Sequence, residues 1–176
     1  MVNLRLILAF LAPTLLILFL IQRHGAALMN EKAPYGIVSL ELAGKATEAQ
    51  SIVDSWKKEG KTTTALGNIR LDFLFIPFYS ILLYMTCGSL ATIHPARPQR
   101  IGTGIAFGCL LAGLFDVFEN VCMMASLNGK GGSVTAAATS ALATAKFSLL
   151  VIALLYIAFS SMRLIGSRKG YAQKNA

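Results

Sequence analysis

The chain has 176 residues, of which 55% are hydrophobic and only 14% charged, yet its formal net charge is +8. A soluble domain of this size spends about a quarter of its residues on charge, so an ordinary water-soluble globule is excluded, and a mean hydropathy of +0.63 points to an integral membrane protein. A nucleic-acid binder of this pI would cluster its basic residues on a soluble face; here the basic excess asks first for a topological explanation, and no nucleic-acid partner is expected.

The first apolar run, Leu6 to Ile21, reaches the length of a membrane span when Leu4 and Gln22 are added, and Pro13 is expected to kink it. A cleavable signal peptide is the competing reading, with Arg5 as its basic start and Gly25-Ala26-Ala27 as small residues before a cleavage site. Arg23 and His24 fall between the two and fit a membrane boundary better.

Residues 23–67 form a polar loop. Thr47-Glu48-Ala49-Gln50 has the spacing of a capping box, and Ala49, Ile52, Val53 and Trp56 follow at i, i+3, i+4, i+7 before Gly60. This is a short amphipathic helix, whose apolar face either packs on the ends of the spans or anchors at the lipid interface through Trp56, beside Lys57 and Lys58. Upstream, Tyr35 to Leu42 reads as an extended segment or the start of another interfacial helix.

Further spans are expected at 71–92, 101–124 and 143–162, the last with a small-residue lead-in from Ser133 to Thr144. Short connections at His94–Arg100 and Asn128–Gly132 make neighbours antiparallel. The expected fold is all-α: a single transmembrane domain, an antiparallel four-helix bundle with spans at 4–22, 71–92, 101–124 and 143–162, a long extracytoplasmic first loop and a basic tail at 163–176. Gly104, Gly108 and Ala112 repeat every four residues, a stripe that serves packing within the bundle or a homo-oligomer contact.

Orientation follows the basic residues beside the spans. Arg5, Arg97, Arg100, Arg163, Arg168, Lys169 and Lys174 share one side with no acid among them, which puts both termini in the cytoplasm and the protein in the cell inner membrane. Cys87, Cys109 and Cys122 lie in apolar runs without a C-x-x-C pair and read as small buried hydrophobes. His24 and His94 stand at span ends, where they make no haem site, and no nucleotide or metal motif is present, so neither cofactor nor metal is expected.

The charges inside the spans are the informative residues. Arg70, Asp72, Asp116, Glu119 and Lys146 each cost roughly 3 kcal/mol near the membrane centre if unpaired, so each needs a partner or a purpose. Counted at about 1.5 Å per residue from the cytoplasmic boundary, Asp116, Glu119, Lys146, Tyr79 and Asp72 all fall in one layer of the outer half of the bilayer. Asp116, Glu119 and Asn120 share one face of the third span, and Asp72 shares its face with Phe75, Ile76 and Tyr79. The bland expectation is an ion pair of Lys146 with Asp116 or Glu119 that fixes helix register, with Arg70 and Asp72 paired at the interface. Carboxylates still outnumber cations there, which marks the layer as a candidate site.

The runs Ser39-Leu40-Glu41-Leu42-Ala43-Gly44, Leu71 to Tyr79 and Asp116-Val117-Phe118-Glu119-Asn120, with Trp56, resemble small four-pass bacterial integral membrane proteins. The resemblance covers most of the chain and implies an architecture but no activity. The functional expectation is therefore a polar, acidic layer that binds a lipid or small amphiphile from the membrane through Glu41, Tyr79, Asn120 and Lys146. The alternatives are an enzyme acting on a lipid-soluble substrate with Asp116, Glu119 or Asp72 as acid and base, and a structural four-helix protein with a buried ion pair.

Overall fold

The helices break where the chain cannot continue them. Gly36, Gly60 and Gly129 take positive φ angles of 58°, 68° and 75°, and Pro95 stands at the start of a long helix. The computed structural model describes the backbone of residues 4–174 and the side chains of residues 5–164. Among these residues it is all-helical: α1 (Leu4–Gly25), a 3-10 turn (Ala26–Leu28), α2 (Ile37–Glu41), α3 (Ala46–Lys58), α4 (Thr62–Ala91), α5 (Ala96–Ala125), a π turn (Ser126–Lys130) and α6 (Ser133–Lys174).

α1, α4, α5 and α6 are long and apolar enough to cross a membrane. They leave Leu16, Phe19, Phe107, Phe118 and Leu155 each more than half exposed, an apolar surface of the kind that marks a protein or membrane contact. α5 packs along both α4 and α6, while α1 leans chiefly on α4. Two glycines of α5 permit the close approach. A β-carbon on Gly113 would lie 2.9 Å from Ser80 Cβ, and one on Gly102 would strike Tyr156. The expected stripe is only partly a contact: Ala112 is buried, Gly108 lies against Leu149, but Gly104 has nothing within 4 Å.

α4 and α6 begin earlier than expected, at Thr62 and Ser133. Ala65, Asn68 and Ile69 on α4, and Ala136, Thr139 and Ala143 on α6, are buried at helical spacing, so tertiary packing extends both helices into polar sequence. At the other end, α6 continues as helix to Lys174 where a tail was expected; the side chains of Arg168, Lys169 and Lys174 lie outside the described residues. α1 runs through Pro13 to Gly25.

One end of the bundle is closed by α2 and α3. Ala49, Ile52, Val53 and Trp56 form the buried face of α3, packed with Leu28, Leu40, Ile69, Met123 and Leu127. Trp56 is fully buried and its indole N–H donates to the Leu28 carbonyl at 2.8 Å, so it is a core residue and not an interfacial anchor. The capping box does not form: Lys45 occupies the N-cap position of α3 and makes no side-chain cap bond. The segment from Tyr35 folds into the short α2. Asn30 ties this cap together, donating to Glu59 Oε1 at 2.7 Å while its Oδ1 accepts from the Lys32 and Ala33 amides. Lys61 and Asn30 hold the Glu59 carboxyl below its usual range.

Candidate functional site

Half of the chain's eight acidic residues, Glu41, Asp72, Asp116 and Glu119, meet beneath the cap. Lys146, on the fourth turn of α6, is the cation among them. Its Nζ lies 2.9 Å from Asp116 Oδ1, 2.9 Å from Glu119 Oε2 and 3.7 Å from Glu41 Oε2. The i, i+3, i+4 spacing of Asp116, Glu119 and Asn120 turns all three toward α4 and α6. From α4, the Tyr79 hydroxyl donates to Asp116 Oδ2 at 2.8 Å, and Asp72 Oδ2 accepts from Asn120 Nδ2 at 2.7 Å.

Burial makes these contacts obligatory. Asp116, Glu119, Asn120 and Lys146 are each at most 5% exposed, and a charge that deep is tolerated only when paired and hydrogen-bonded. The expected ion pair is thus observed in a larger form, since one ammonium serves both α5 carboxylates and reaches Glu41 on α2. The Arg70–Asp72 pair does not form: Asn120 takes the carboxylate, and Arg70 is exposed. Burial holds the Glu41 carboxyl above its usual range, against the opposing pull of Lys146.

The cluster borders a cavity of about 250 Å³. Its polar lining is Gln22, Glu41, Asn68, Asp72, Asp116, Asn120 and Lys146 with the Tyr79 ring; its apolar lining includes Leu18 and Ile21 of α1, Phe75 of α4, and Phe147 and Leu150 of α6. α1 rests on α4 and α6 rests on α5, so α1 and α6 face each other across the cavity. Glu119 is off the cavity wall. A larger concavity of about 670 Å³ lies between α3 and the segment Ser126–Gly132, but polar surface residues such as Lys32, Gln50, Asp54 and Lys58 line it and none of the four clustered acids borders it.

Of the residues singled out from sequence, Asp72, Tyr79, Asp116, Asn120, Lys146 and Glu41 border the cavity together, and Glu119 joins through Lys146. Sequence reasoning missed Asn68, which is buried one turn before Asp72 and donates to the Ile21 carbonyl at 2.9 Å, joining α4 to α1. Its i, i+4 spacing to Asp72 was the available signal. Phe147 and the α1 residues carried none, because an apolar residue in an apolar run does not announce which face it occupies. Among the described residues no three His, Cys, Asp or Glu side chains are arranged to hold a metal ion. Cys87 and Cys109 are buried thiols and Cys122 is half-buried. No family model, no curated protein and no solved structure matches the chain.

Proposed function

We propose that the protein is a multi-pass inner-membrane binding protein, with both termini cytoplasmic, that takes a lipid or small amphiphile from the bilayer into the cavity between α1, α4 and α6. The observation that carries this is the two-sided lining: one part is hydrocarbon and aromatic, and the other presents Asp72, Asn120 and Glu41. Pockets for small molecules have this character, mostly apolar with a few convergent polar groups. A volume of about 250 Å³ equals roughly eight waters of liquid, so a head group and its first methylenes fit inside while the chain lies along α1 and α6.

An enzyme would need its acid and base at the substrate. Glu119 lies off the cavity wall and both α5 carboxylates are engaged by Lys146, which favours binding over acid–base chemistry. A diazirine-bearing alkyl amphiphile, photolysed in membranes that contain the protein, tests the proposal. Labelling is expected on Leu18–Gln22, Ile69–Tyr79 and Lys146–Leu150 and is expected to be competed by excess unlabelled amphiphile. Uncompeted labelling spread over outward residues such as Phe107 and Leu155 would refute it.

A further inference from the structure

We infer that the occupant of this cavity presents a cationic, hydrogen-bond-donating head, an alkylammonium end in place of a carboxylate, phosphate or hydroxyl; the inference rests on the amphiphile-binding proposal and names its ligand class. It follows from which hydrogen-bonding capacity the wall has left over. Most of the wall's donors are engaged: Tyr79 on Asp116, Asn120 Nδ2 on Asp72, Asn68 Nδ2 on the Ile21 carbonyl, and Lys146 on Asp116 and Glu119, with the exposed Gln22 amide the exception. What remains open among the buried groups is acceptor capacity. Asn120 Oδ1 and Glu41 Oε2 are buried without a hydrogen-bond partner, and both residues border the cavity.

Asn120 is the sharper of the two. It is fully buried, and with Asp72 ionised its Nδ2 turns to Asp72 Oδ2 and its Oδ1 is left without a donor. A buried acceptor in that state is costly, and a ligand donor relieves the cost. The lining has the same sense: Lys146 is its one cationic side chain and is already engaged by Asp116 and Glu119, so an anionic head would find no unengaged cation there. The rings of Phe75 and Tyr79, with centroids 5.0 Å apart, and Phe147 also line the space. Aromatic faces attract an organic cation and do nothing for an anion. An inorganic cation is the poorer fit, since no convergent set of metal ligands accompanies the acceptors.

The test is a head-group series on the purified full-length protein in non-ionic detergent, read as competition against radiolabelled dodecylamine. Dodecylamine is expected to bind at least about tenfold more tightly than dodecanol or dodecanoate, as a charge-assisted hydrogen bond to a buried acceptor implies. Asp72→Asn is expected to erode that preference, and the wild-type series stands even if the variant folds poorly. Lysophosphatidylethanolamine separates two sources of the same head: parity with dodecylamine identifies a phospholipid ammonium, and weaker binding identifies a free lipophilic amine. Equal or tighter binding of dodecanol or dodecanoate would overturn the ligand class and leave the amphiphile-binding proposal intact. Absence of binding by every member would overturn both.

Discussion

Lys146 is the residue on which the buried layer depends. One ammonium neutralises carboxylates from two other elements, and removing it leaves Asp116 and Glu119 unpaired at positions that are nearly inaccessible. Lys146→Met is therefore expected to destabilise the protein by about 3–5 kcal/mol, read from unfolding in detergent. Tyr79→Phe removes one donor to a carboxylate that keeps its ion pair, and a loss of about 1–3 kcal/mol is expected in the same assay. A variant at Lys146 as stable as wild type would mean that the carboxylates find protons or water at no cost. Most of this layer was legible in sequence because a charge inside an apolar run is conspicuous, and the helical period then places Asp116 and Asn120 on one face. Which partner each charge takes was not legible. Asp72 lies next but one to Arg70 in the chain yet bonds across helices to Asn120, a pairing that depends on the packing of α4 along α5.

At the scale of elements, the cap formed by α2 and α3 positions Glu41 over Lys146. Trp56 fills its centre, so Trp56→Ala is expected to cost about 3–5 kcal/mol and to free α3 amides for hydrogen exchange. The missing cap bond of α3 can be supplied. Lys45→Asn should stabilise by about 0.5–2 kcal/mol, since the Lys45–Glu48 pair it removes is exposed and weak. Glu41 makes the docking of α2 pH-dependent. Its folded-state pKa lies above the ordinary value of 4.5, so the folded protein binds the proton more tightly. The stability that this proton contributes is fully present below about 4.5 and is lost as pH rises through the folded-state pKa. Wild type and Glu41→Gln are thus expected to show a constant stability difference at acid pH, with wild type losing ground as pH rises; a difference that does not change with pH would contradict this. The amphipathic period of α3 was legible because four apolar residues repeat at helical spacing. The capping box was not a reliable signal there, because packing of Ala49 and Trp56 starts the helix at Ala46, before Thr47 can act as a cap. α2 was equally hidden: a five-residue helix has too few turns to leave a period.

For the whole molecule, the basic excess now has a structural counterpart. The acidic residues concentrate in the layer and the cap, while Arg97, Arg100 and Arg163 lie toward the opposite ends of the long helices. We expect that end to face the cytoplasm, so a green fluorescent protein fused to the C-terminus should fluoresce and Lys57→Cys should react with a membrane-impermeant maleimide from outside intact cells. The opposite labelling pattern would invert the topology. The bundle itself was legible from four apolar runs, since length and hydropathy decide what can cross a bilayer. The cavity was not, because it arises from α1 resting on α4 while α6 rests on α5, an arrangement that no local pattern encodes.

Native mass spectrometry of the protein released from mild detergent tests the proposed binding role most directly. Wild type is expected to carry a stoichiometric small-molecule adduct from its membrane, and Asp72→Asn to fly at its sequence mass with most of that adduct lost. Wild type flying bare, or an adduct retained equally by Asp72→Asn, would contradict it and leave the Lys146 cluster as a structural lock between helices.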